Sequence, residues 1–308
     1  MGSMLRILFL LLFSTATVTA QQIGDHTYVP PIGEQAFEEG AGPVVVIDEA
    51  HNNYHTAEGR YKTFAEFLRG HGCMVLPGTQ PLSLPVLSSA DIYVISNALP
   101  ERNIEDWSLP IDNAFTTEEV DALALWVREG GSLFLIADHM PMPGAIDSLA
   151  LRFDIHFSNG FALFEGKPGR GMMFTRMHET LRPHWITDTP VDGMSIDSVV
   201  TFTGSAFRVK AEHAPLLVFG GRMFSVEPEV AWEFDENTKR VNVEAWRQGA
   251  ALTFGKGRIV VFGEAAMFSA QVSGERRMPV GMNAPEGKKN APLLVNIIRW
   301  LAKVDGAE

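Results

Sequence analysis

The sequence predicts an α/β fold built on a doubly wound, mostly parallel sheet, with a β-rich, elaborated second half. Three observations carry this prediction. Unbroken apolar runs recur through the first half, as expected of parallel strands buried on both faces. Segments of helical period alternate with them, which implies βαβ crossovers. Beyond about residue 150 the runs become shorter and are separated by long polar loops.

Taken in order, Val44-Val45-Val46-Ile47 is the first strand. Tyr61, Phe64, Ala65 and Leu68 then share one helical face, and Gly70 and Gly72 can end that helix. Cys73–Leu76 is the second strand and Asp91–Ser96 the third. Thr116 and Glu119 have capping-box spacing ahead of Val120, Leu123, Ala124 and Val127, with Gly130-Gly131 as the stop. Leu133–Ala137 is the fourth strand. Phe153–Phe157, Ser198–Thr203 and Pro215–Gly220 read as short strands, and Ala250–Phe254 and Arg258–Phe262 as a hairpin around Gly255-Lys256-Gly257. Leu293, Leu294, Ile297, Ile298 and Leu301 form a last amphipathic helix.

Residues 1–20 stand apart. Arg6, the apolar run Ile7–Phe13 and the small residues before Gln21 have the layout of a secretory signal peptide, with residues 1–3 as a cloning remnant. The expectation is an exported protein, periplasmic or secreted, whose residues 21–308 form one domain with no membrane anchor after cleavage. A net charge of −12 argues against nucleic-acid partners, because an acidic surface gains nothing from counterion release. The single cysteine, Cys73, allows no internal disulfide and opens a strand, so it reads as a packing residue.

Candidate chemistry lies where open α/β sheets bind ligands, beyond the carboxyl ends of the strands. Strand one ends in Asp48, with His51, Asn52 and His55 following; strand four ends in Asp138-His139; a late strand ends in Glu264. Asp48, His51, Asp138, His139 and Glu264 are the candidate catalytic residues, and Asn52, His55, Met140 and Asn283 the candidate substrate contacts. A His pair at i, i+4 with carboxylates nearby can chelate a divalent ion such as zinc, which makes Asp48, His51, His55, Asp138 and His139 a candidate metal set. A structural role as caps and turn ties competes with that reading. Asn290 reads as the N-cap of the last helix. Gly166, Gly169 and Gly171 with Lys167 and Arg170 read as a surface loop. No G-x-S-x-G elbow, P-loop or G-x-G-x-x-G follows a strand, which argues against a conventional serine esterase and against nucleotide cofactors.

The stretches VVVIDEAHNNYH, GRYKTFAEFLRGHG, EEVDALALWVREGGSLFLIADH, VVTFTGSAF and GRIVVFGEAAMFSAQ resemble the class I glutamine amidotransferase-like superfamily, in an exported branch that lacks the nucleophilic cysteine. The resemblance implies a flavodoxin-like three-layer sandwich. True amidotransferases carry a cysteine at the turn after the strand ending at Ala137, and here Asp138-His139 stand there, so glutaminase chemistry is not expected. Two functions remain open. One is an exported hydrolase of a neutral or cationic small molecule (an ester, amide or glycoside), metal-assisted or with His139 as base. The other is a non-catalytic module binding a carbohydrate or a protein, with Trp107, Trp185 and Trp232 available for stacking. The first requires the Asp, His and Glu side chains to converge in one cleft, whereas pairing off as caps favours the second.

Overall fold

A computed structural model describes residues 22–165, 171–304 and 306–307. The expected leader and most of the glycine loop (Gly166, Lys167, Gly169, Arg170) lie outside the described residues.

A mixed nine-stranded sheet runs through the molecule. Its strands are β1 (Val44–Asp48), β2 (Met74–Gly78), β3 (Ile92–Ser96), β4 (Ser132–Ile136), β5 (His156–Phe157), β6 (Phe207–Arg208), β7 (Ala214–Val218), β8 (Arg247–Phe254) and β9 (Gly257–Phe262). The spatial order is β2-β1-β3-β4-β9-β8-β6-β5, with β7 also pairing β8. The five strands from β2 to β9 are mutually parallel, and the rest of the sheet is antiparallel. The chain leaves β1 towards β2 and then returns past β1 to β3, so the strand order reverses between β1 and β3. Such a reversal, at the carboxyl ends of the strands, is where open α/β sheets bind their ligands.

Pleating divides the strand side chains between two cores. Val45, Ile47, Ile92, Val94, Phe134, Ile136, Val260 and Phe262 pack on one face beneath helices α1 (Lys62–Gly70) and α3 (Asn290–Leu301). Val46, Tyr93, Ile95, Leu133, Leu135, Ile259 and Val261 pack on the other, against α2 (Thr117–Glu129). Each face is apolar because both are covered, which is why these strands read as continuous runs. Tyr61, Phe64, Ala65 and Leu68 are all buried, and Gly72 takes φ +89° just past α1. The capping box forms: Thr116 Oγ1 accepts from Glu119 N at 3.3 Å, and Glu119 Oε2 accepts from Thr116 N at 2.9 Å.

The hairpin forms with β8 and β9 paired from Gly249–Phe262 to Phe254–Gly257, and Gly255 at φ +61° closes the turn. The expected strands at 153–157, 198–203 and 215–220 shorten to 156–157, 198–201 and 214–218. Three small antiparallel sheets were not foreseen. They join 161–164, 223–227 and 239–242; 172–175 and 198–201; and 22–24, 270–273 and 278–281. Their strands are four residues or so and only partly buried, so no long apolar run announces them. Asn290 is not an N-cap: it lies wholly buried in the first turn of α3, where its side chain accepts from Val200 N and donates to Val200 O. No helix among the described residues is long and apolar enough to cross a membrane.

Candidate functional site

The strand-end polar residues fall into two clusters, one on each face of the sheet. Asp48 follows Val46 on the α2 face. Its carboxylate takes His51 Nδ1 at 2.8 and 3.0 Å and the Tyr93 hydroxyl at 3.3 Å. His51 Nε2 lies 2.9 Å from Glu119 Oε1, an oxygen that also accepts from Leu82 N at 2.9 Å. The capping glutamate of α2 thus closes the far side of the imidazole, and Phe115 covers its ring at 4.1 Å. Burial pushes the His51 pKa down, but hydrogen bonds to Asp48 and Glu119 and their charges outweigh it and raise it. Burial likewise opposes ionisation of Glu119, yet bonds from Thr116, His51 and Leu82 hold its pKa below the usual value. Every polar atom of this imidazole is spoken for. Glu119, read from the sequence only as a cap, is its missed partner.

The second cluster follows Ser96, Ile136 and Phe262 on the α1 and α3 face. Parallel register pairs Ile136 with Phe262, so Asp138 and Glu264, each two residues further on, stand beside one another. Glu264 is wholly buried and accepts from Ala266 N at 3.1 Å and Met267 N at 2.8 Å. Burial, with the charge of Asp138, drives its pKa well up despite those donors. Asn97, at φ +52°, is the hub: its Oδ1 accepts from Asp138 N at 2.8 Å and its Nδ2 donates to His55 Nδ1 at 3.2 Å. Its own carbonyl accepts from Tyr54 N. His55 is enclosed beside Tyr61, and burial, aided by Arg60, pushes its pKa down to about 3. It is therefore neutral, with the proton on Nε2, an atom that has no partner among the described residues.

Of the five candidate catalytic residues, His139 alone is partly exposed and the other four are buried. Its Nδ1 lies 2.8 Å from the Met140 carbonyl, which can only accept, so Nδ1 carries the proton and Nε2 is left as an acceptor. The ring stacks on Phe161 at 4.4 Å, meets Trp232 edge-on at 4.7 Å and has Trp107 at 6.0 Å. Two loops join above it: Leu109 N donates to Glu229 O and Ala231 N to Trp107 O. Trp232 is half exposed and sits at φ +70°, a backbone region that bulky residues avoid.

The remaining candidates are placed as follows. Met140 is wholly buried. Asn52 is exposed and donates to Leu99 O at 3.2 Å. Asn283 donates to Asp25 Oδ2 and Gln271 O, tying the first described strand to the 270–281 hairpin. Asp48 with His51, and Asp138 with His139, lie on opposite faces, and no hydrogen bond among the described residues joins the two pairs. No three His, Cys, Asp or Glu side chains among the described residues are grouped to hold a metal ion. The expected set Asp48, His51, His55, Asp138 and His139 does not come together as one group: His51 has both ring nitrogens on carboxylates, and Asp48 with His51 lies on the opposite face from Asp138 with His139. Cys73 is buried, and its thiol is pushed up to about 12 by that burial.

No family model matches the chain, and no curated protein matches it. Solved structures of similar fold include the mmIFT52 N-terminal domain, 13% identical, covering 85% of this chain and 98% of that chain at a TM-score of 0.60. A cytoplasmic protein from Salmonella typhimurium is 14% identical, with coverage of 84% and 98% and a TM-score of 0.49. A protein from Bacteroides uniformis described as ThuA-like is 13% identical, with coverage of 88% and 93% and a TM-score of 0.44. The likeness to the mmIFT52 N-terminal domain spans nearly all of that domain and shows that the two chains share an α/β fold.

Proposed function

We propose that this chain is a small-ligand-binding module on an amidotransferase-like fold, exported by its N-terminal leader. In this reading it holds its ligand in the crevice edged by Trp107, His139 and Trp232. One observation carries the reading. Asp48, His51 and Glu264 are consumed in closed networks with a helix cap and a turn, while His139 offers, among aromatic rings, an acceptor with no partner among the described residues. Aromatic faces with one polar acceptor suit a ligand that has an apolar face and a few hydroxyl or ammonium groups, neutral sugars and organic cations among them. Binding of such a panel, followed by tryptophan fluorescence, tests it: His139→Gln and Trp232→Ala should each weaken binding at least tenfold. A panel that leaves the fluorescence unchanged overturns the reading.

The hydrolase reading keeps one supporting observation, the tautomer of His139. With Nδ1–H held by Met140 O, Nε2 is set to take a proton from an attacking water, and Asp138 is the adjacent carboxylate. Glu264, enclosed on the same face, would act only through Asp138. Turnover of a neutral ester, amide or glycoside that is lost in His139→Gln would select this reading over simple binding.

A further inference from the structure

Next to Trp232 lies an open groove of about 990 Å³. Leu109, Val230, Trp232 and Phe234 line it and are all exposed, an unusual grouping of large apolar side chains on one rim. Phe234 and Trp232 both pack on Phe161, the ring on which His139 stacks, so the groove adjoins the aromatic group around His139. Its charge is one-sided. Glu227, Glu229, Glu233 and Asp235 line it with a single cation, Lys239, which Glu227 engages at 2.6 Å. Asp235 is occupied by the turn it makes with Asn237 and Thr238. Glu229 and Glu233 are exposed, and no ion pair among the described residues neutralises either.

We propose that this groove takes an organic cation with an apolar body, its alkyl or aromatic part against Trp232 and Phe234 and its positive centre between Glu229 and Glu233. The proposal rests on the binding reading above and deepens it, extending the ligand past Trp232 into the adjoining groove, where its charge is selected. Its grounds are complementarity. Exposed apolar rings gain by covering, a tryptophan face attracts a cation through its quadrupole, and two unneutralised carboxylates add a field that a neutral ligand cannot use. Anionic ligands are disfavoured by the same field.

A matched pair of probes tests this: choline, and its neutral isostere in which carbon replaces the quaternary nitrogen. Titration of the full chain, read by tryptophan fluorescence and calorimetry, should give choline at least a roughly tenfold lower Kd. The Glu229→Gln, Glu233→Gln double variant should bring the two Kd values to within about threefold, and raising salt should do the same to the native chain. Equal affinity for both probes in the native chain overturns the cation proposal and leaves the binding reading standing. Binding of neither probe overturns the cation proposal, and the sugar panel then decides the broader reading. Unchanged discrimination in the double variant also overturns it. Both substituted residues are exposed and unpaired, so melting should stay at the native value.

Discussion

His51 Nε2 stands 2.9 Å from Glu119 Oε1, so the imidazole bridges the carboxyl end of β1 and the first turn of α2. One histidine thereby locks the loop after β1 to the helix that covers the core on the same face of the sheet. Two carboxylates face it, Asp48 from its own segment and Glu119 from α2, with the Tyr93 hydroxyl behind Asp48.

The first prediction concerns pH. The His51 pKa is raised in the folded chain, so its contribution to stability is fully present below the ordinary value of 6.5 and is lost as pH climbs through the folded value. Glu119 is lowered, so its contribution is present above 4.5 and lost as pH falls through the folded value. The network should therefore be strongest between these limits, in mildly acidic solution. His51→Ala leaves two buried carboxylates facing each other and should cost about 3 kcal/mol. Urea midpoints across pH should show the cost shrinking in alkali; a constant cost would mean that His51 is neutral when folded.

Glu264 gives the second. Its pKa is raised, so its contribution is present below 4.5 and declines as pH rises towards the folded value. Glu264→Gln replaces one of the two side-chain oxygens that accept from Ala266 N and Met267 N by an amide NH2 that cannot accept, a loss of about 1 kcal/mol. It should also flatten the dependence of stability on pH above 4.5. A parallel displacement of the whole curve would show that Glu264 stays ionised.

Cys73 should resist alkylation in the native chain, because its thiol is buried and pushed up to about 12. Cys73→Ala should cost about 1 kcal/mol and leave ligand affinity unchanged. Rapid native labelling, followed by mass, would count against this.

Asn290 holds both backbone groups of Val200 from within α3. Asn290→Ala should cost about 2 kcal/mol and loosen the pairing of 172–175 with 198–201 before the main sheet. Hydrogen exchange at Phe174 against Val94 measures the difference.

His139→Gln should retain the native melting temperature within a few degrees, since the ring lies at the rim, while binding falls. Loss of folding instead would make His139 a packing residue of the aromatic group.

Strands β1, β3 and β4 were legible because burial on both faces leaves an uninterrupted apolar run, and α1 and α2 because one-sided burial leaves a helical stripe; β2, with Met74 and Leu76 exposed, and α3, buried nearly all round, were read from apolar content alone. The capping box was legible from two residues. The division of the polar cluster was legible in principle too. Asp48 is in phase with Val46, whereas Asp138 and Glu264 are in phase with Ile136 and Phe262, and a pleated strand sends alternate residues to opposite faces. Proximity along strand ends suggested one centre, where phase separates two. The second role of Glu119 was not legible, because nothing in a capping spacing tells which distant side chain will share the carboxylate. The aromatic rim was also hidden: Trp107, His139, Phe161 and Trp232 come from four separate segments, joined only by folding.

The pairing of β4 with β9 has a consequence for how the chain is made. These neighbours are separated by the whole stretch from residue 137 to residue 256, so β4 emerges from the ribosome long before its partner. Until Phe262 has been synthesised, Ser132–Ile136 present an apolar, unpaired edge open to other chains. The first half can assemble β2, β1, β3 and β4 early, but it waits on the second half for closure. Nascent chains stalled short of residue 262 should therefore be the species that chaperones hold and that aggregates recruit.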